Sequence, residues 1–188
     1  MIINIRGTNG SGKSTVVRKL MEQAVCCVPI YGILGTRRPE AYRLTVDRCP
    51  RSVVVLGPYL ADTGGCDCLG SYARILALFD KYRTTSHVVC EGVWLSDTWG
   101  KLGKYFERHA SEVVLVFLDT PLEECLRRLG ARRAAAGTTC TLSSTKTQRR
   151  YQYVLNVRQR VEAAGHIRTE TASSGDAARH IQEIMRGA

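Results

Sequence analysis

The stretch GTNGSGKST, residues 7–15, directly follows the apolar opening MIINIR. It satisfies G-x-x-x-x-G-K-[ST] with Gly7, Gly12, Lys13 and Ser14, and few patterns this short restrict a fold so tightly. A glycine-rich loop lets backbone N–H groups converge on phosphate oxygens, and a helix starting at Lys13 adds the positive end of its dipole. Lys13 is expected to reach the β and γ phosphates and the Ser14 hydroxyl to ligate Mg²⁺, while Asn9, Gly10, Ser11 and Thr15 complete the cradle. The pattern carries this meaning only between a strand and a helix. IINIR (2–6) reads as that strand, and KSTVVRKLMEQA (13–24) as that helix, with Val16, Val17, Leu20 and Met21 on one side.

The rest of the chain keeps the alternation. CCVPIYGIL (26–34), AYRLTV (41–46) and SVVVLGPYL (52–60) lean to β structure and are parted by the turn signals GTRRP and DRCPR, as in a hairpin that leads into a core strand. ADTGGCDCLG (61–70) is loop by composition, and SYARILALFDKYR (71–83) has helical spacing. HVVCEGVW (87–94) reads as a buried strand ending in an acid, and a helix is expected within 96–110. EVVLVFLD (112–119) has the nearly continuous apolar character of a parallel strand covered on both faces. Thr120-Pro121-Leu122-Glu123 reads as a capping box opening the helix PLEECLRRLGARRAAAG, after which TTCTLSSTKT is polar and a second helix resumes near Gln148. HIRTET gives a weak last strand and DAARHIQEIMRG a closing helix. The expected fold is α/β: a three-layer P-loop NTPase fold with a mostly parallel sheet and an arginine-rich lid. Its 188 residues suit a single domain, 1–188, with a lid and acceptor-binding segment at about 127–150.

The loop pattern alone does not separate kinases from switch GTPases and ATPases. No N-K-x-D guanine signature occurs, which disfavours a GTPase. Phosphoryl transfer needs in-line positioning, charge neutralisation and an acid for metal or for the acceptor's proton. Glu91 and Asp119 end strands and Asp67 follows Gly64-Gly65, and in a parallel sheet such ends open onto one crevice. Glu91 is the first candidate for the metal side and Asp67 for the acceptor side, with Asp62 a weaker candidate beside it.

Charge supplies the second constellation. Lys and Arg number 27 against 17 Asp and Glu, a net +10, and nine of those cations (127, 128, 132, 133, 146, 149, 150, 158 and 160) fall in one stretch without an acid. Arg127, Arg128 and Arg132 suit a lid closing over phosphates, because the guanidinium fork binds phosphate bidentately and closure excludes water. The surplus, Lys146, Arg149, Arg150, Arg158 and Arg160 with Tyr151 and Tyr153 among them, and Arg37 with Arg38 beside a turn, points to a polyanionic acceptor. The eight cysteines read as reduced thiols: no signal peptide is expected, and Cys66 and Cys68 lack a second pair at zinc-ribbon spacing. No apolar run reaches a membrane span's length, so a cytoplasmic protein is expected.

With the loop, the acid in VVCEG and the segment LDTPLEECLRR, the chain resembles the P-loop kinases of the nucleotide and polynucleotide kinase group. Within that group, VVVLGPYLADTGGCD and the short length resemble the phage kinases that phosphorylate the hydroxymethyl group of 5-hydroxymethyluracil in DNA, a step toward hypermodified thymidines. The resemblance implies ATP, Mg²⁺, a DNA acceptor, a base reached outside the stack and, for a phage protein, the host cytoplasm. It also implies that the lid arginines are 127, 128, 132 and 133. The sequence departs from many nucleoside and nucleotide kinases in lacking a D-R-x pair after this strand, where it reads CEGVW, which leaves the general base open. The rival readings are a small-molecule nucleoside or nucleotide kinase, a 5′-polynucleotide kinase, and a nucleic-acid-binding P-loop ATPase.

Overall fold

The computed structural model describes residues 1–32, 37–59, 64–96, 99–137 and 144–187. Seven strands form one sheet: β1 (Ile2–Arg6), β2 (Cys26–Ile30), β3 (Ala41–Thr45), β4 (Val53–Leu56), β5 (His87–Glu91), β6 (Val113–Leu118) and β7 (Arg168–Ala172). Their order is β2-β3-β4-β5-β1-β6-β7. The five strands from β4 to β7 run parallel, and β2 and β3 add an antiparallel meander at one edge, so the hairpin feeding a core strand forms as expected.

The helices are α1 (Lys13–Glu22), α2 (Tyr72–Tyr82), α3 (Val93–Ser96), α4 (Gly100–Arg108), α5 (Leu122–Ala135), α6 (Ser144–Ala164) and α7 (Ala177–Arg186). Two apolar cores sandwich the sheet. On one face Ile2, Val88, Leu115 and Phe117 meet Phe79 of α2, Phe106 of α4 and Val154, Val157 and Val161 of α6. On the other, Ile3, Ile5, Val89 and Val116 meet Val16, Val17 and Leu20 of α1 and Ile181 of α7. Successive residues of β1 and β6 thus serve opposite cores, and for this reason VVLVFL is apolar throughout, whereas β1 also buries Asn4 and Arg6. In contrast, α5 buries only Cys125 and Leu129 and lies on the rim.

Local details differ from the sequence reading. The capping box does not form: α5 starts at Leu122 behind Pro121 (ψ 148), with no side-chain cap. The buried Thr120 hydroxyl instead donates to the Ser11 carbonyl of the phosphate loop at 2.9 Å, in keeping with the need of a buried hydroxyl for a partner. Helix α6 begins at Ser144, before Gln148, and its first turn buries Thr147. Within the expected loop 61–70, Cys66–Leu69 forms a 3₁₀ turn.

Candidate active site

The carboxyl ends of β1 and β5 face the same way, and their register pairs Ile5 with Glu91. The loop at 7–12 therefore leaves the sheet beside that carboxylate. Gly12 caps α1 without any side-chain hydrogen bond, so the first-turn amides of the helix stay available to an anion. Gly10 adopts φ 79, and a Cβ there would collide with the Cys125 carbonyl of α5, so only glycine lets α5 approach the loop this closely. Lys13 Nζ donates to the Gly7 and Thr8 carbonyls at 2.7 and 3.0 Å, holding the buried ammonium at the loop's centre.

Glu91 is 2% exposed and both of its hydrogen bonds converge on Oε1, from Ser14 Oγ at 2.9 Å and from the Tyr59 hydroxyl at 3.3 Å. Burial pushes its carboxyl above the usual range, while Lys13 and the Ser14 hydrogen bond pull it back. Gly65 presses its backbone against this carboxylate, where a side chain would clash, and so brings the Asp67 turn alongside. The Asp67 carboxylate accepts the N–H groups of Val93 at 2.7 Å and Trp94 at 3.1 Å, tying the turn to α3.

These groups open into one cleft of about 650 Å³. Asn9, Gly10, Gly12, Lys13, Ser14 and Thr15 form its floor, Asp67 and Glu91 one wall, and Arg128 and Arg132 the other. Arg128 is fixed by Glu124 at 2.6 Å and by Ser174 Oγ at 3.3 Å. Arg127, whose side chain is 69% exposed, forks onto Glu124 at 2.6 and 2.7 Å and lines no part of the cleft, nor does Arg133. The two arginines that fork onto or cap Glu124, Arg127 first, hold its carboxyl down at about 2. Gly7 and Ser11 face a small cavity of about 30 Å³ behind the loop, with Asp119, Tyr151 and Arg158.

Arg37, Arg38, Lys146, Arg149, Arg150 and Tyr151 also lie outside the cleft lining, the first two between β2 and β3 and the rest on α6. Arg38 sits close enough to Cys68 to oppose the upward push of burial on that thiol, which places it near the Asp67 turn. Asp62 lies outside the described residues. Sequence reasoning missed Tyr59 and, in the cleft lining, Arg18, Lys19, Val93, Leu129, Ser174 and Gly175. Ser174 and Gly175 follow β7, so the rule that parallel strand ends face the ligand crevice would have found them. Arg18 stands four residues after Ser14 on the same helix face, another available signal.

Ser14 and Glu91 are hard oxygen donors set against each other at one point, a pairing that fits Mg²⁺. Among the described residues no three His, Cys, Asp or Glu side chains gather as a metal site. No described helix is long and apolar enough to cross a membrane.

A family model described as 5-hmdU DNA kinase matches residues 1–171. The chain belongs to the 5-hmdU DNA kinase family. It is 31% identical over 169 residues to the 5-hmdU DNA kinase of Pseudomonas phage PaMx11, covering 87% of this chain and 86% of that one. The 5-hmdU DNA kinase of Pseudomonas phage M6 is 31% identical over 138 residues, 69% of this chain and 71% of the relative. Among solved structures, a gluconokinase from Sinorhizobium meliloti shares the fold at 17% identity with a TM-score of 0.50, over 94% of this chain and 86% of its own. That likeness shows the P-loop architecture and leaves the acceptor to other arguments. This member of the 5-hmdU DNA kinase family is thus a P-loop phosphotransferase, and the ATPase reading loses to the kinase.

Proposed function

We propose that the protein passes the γ-phosphoryl group of ATP, with Mg²⁺, to the hydroxymethyl oxygen of 5-hydroxymethyluracil in DNA, in the cytoplasm of a phage-infected host. Family membership over residues 1–171 supports the acceptor, and the observation that carries the reaction is a single cleft holding phosphate loop, arginines and two carboxylates. The loop amides and Lys13 hold the triphosphate, with Arg128 and Arg132 over its transferring end. Ser14 and Glu91 would hold Mg²⁺, which when bound neutralises charge on the β and γ phosphates. Asp67, its carboxylate fixed by two amides, receives the acceptor's proton as the new O–P bond forms and the bond to the β-phosphate oxygen breaks, leaving ADP. The exposed cations of α6 and the β2–β3 connection hold the DNA backbone outside the cleft.

Incubation with [γ-³²P]ATP and DNA containing 5-hydroxymethyluracil is expected to label the DNA, with label surviving on the base-modified nucleoside after digestion. Label confined to 5′ ends, to free nucleosides or to inorganic phosphate would overturn the acceptor.

A further inference from the structure

Helix α3 is a single turn that starts two residues after Glu91, and its Trp94 pairs with Tyr72 of α2 beside the residues that line the acidic wall of the cleft. Val93 lines the cleft, and the next residue, Trp94, is 42% exposed although it is a large apolar side chain. Trp94 is held at its backbone on both sides: its N–H donates to Asp67 and its carbonyl accepts the Tyr72 hydroxyl at 3.2 Å. The Tyr72 and Trp94 rings lie 6.1 Å apart at 31° to each other. The other described tryptophan, Trp99, is instead packed against the core at Phe106, so Trp94 is the indole offered outward.

We infer that Trp94, backed by Tyr72, is a stacking platform for the acceptor nucleobase, which it receives outside the duplex and turns toward Asp67. The inference rests on the DNA acceptor proposed above. The same carboxylate that would take the acceptor's proton fixes the Trp94 amide, so platform and base are held in one rigid unit. A pyrimidine ring has a π-face for the indole, and base–aromatic stacking tolerates a substituent such as hydroxymethyl on the ring edge. Trp94 is therefore a binding residue whose removal acts on acceptor capture.

Labelling kinetics with single-stranded 5-hydroxymethyluracil oligonucleotide test it. Trp94→Ala is expected to raise KM for the oligonucleotide about ten- to hundredfold with KM for ATP unchanged, and Trp94→Phe to recover most of the loss. In a Trp99→Phe background, Trp94 becomes the sole tryptophan, since the chain has two, and the oligonucleotide is expected to quench its emission under excitation selective for tryptophan. An unchanged oligonucleotide KM in Trp94→Ala, or absent quenching, beside a wild type that labels DNA overturns the platform alone. A wild type that labels no DNA overturns the acceptor reading first and the platform with it.

Discussion

Replacing Glu91 by glutamine separates what this carboxylate does for chemistry from what it costs the fold. Both hydrogen bonds it receives, from Ser14 and Tyr59, end on Oε1, so the glutamine carbonyl oxygen keeps both and the shape is conserved. What disappears is a buried negative charge. Burial raises the carboxyl's pKa in the folded protein, so between the ordinary value and the raised one the folded state binds more protons than the unfolded. Stability contributed by Glu91 is therefore present at low pH and lost as pH rises through that window, each pH unit of displacement amounting to about 1.4 kcal/mol at neutral pH. For a chain of this size about 1 kcal/mol moves Tm by roughly 2–4 °C, so Glu91→Gln is expected to melt a few degrees higher than wild type at pH 7.5 and to converge with it near pH 4.5. Turnover moves the opposite way: losing the charge that would hold Mg²⁺ is expected to cut kcat by about 10²–10³. Circular-dichroism melts across pH 4.5–8 and saturating-substrate labelling check both halves. A variant that melts lower at pH 7.5, or that keeps kcat within threefold, refutes the reasoning.

Gly10→Ala forces a Cβ onto the Cys125 carbonyl at a φ of 79, and it is expected to lower Tm by several degrees and to weaken nucleotide binding, read by melts and by ATP titration. His87 is buried with both ring nitrogens lacking a hydrogen-bond partner among the described residues, and burial first, then the N-terminal ammonium and Arg51, hold its pKa at about 4. Unfolding binds the extra proton, so stability is full above pH 6.5 and falls by up to about 3 kcal/mol toward pH 4; His87→Leu is expected to flatten the melting profile over that range. Arg132→Ala, which strips the cleft wall, is expected to lower kcat about 10- to 100-fold, whereas Arg127→Ala, facing solvent on Glu124, stays within about twofold in the same labelling assay.

The loop at 7–15 was legible because its chemistry is local: nine consecutive residues supply the amides, the ammonium and the hydroxyl. Glu91 was legible for a related reason, since an acid closing an apolar run must sit at a strand end. Distance in the chain marks where legibility stopped. Tyr59 reaches Glu91 across 32 residues and Ser174 reaches Arg128 across 46, and no spacing rule connects them. Thr120 read as a helix cap because its neighbours fit that pattern, yet the Ser11 carbonyl, 109 residues away, claimed its hydroxyl. The count of cations between 127 and 160 pointed to a polyanion but could not sort Arg128 and Arg132, in the cleft, from Arg127 beside them.

By itself, then, the order of residues determined that a P-loop opens a mostly parallel α/β sheet, because hydrophobic period and loop chemistry act over a few residues at a time. Which side chains meet across the cleft was decided only by tertiary packing: the Ile5–Glu91 register, the press of Gly65 on that carboxylate and the tie from Asp67 to α3. Sheet order brings these segments together, and it is fixed by the summed burial of two cores that no single segment encodes.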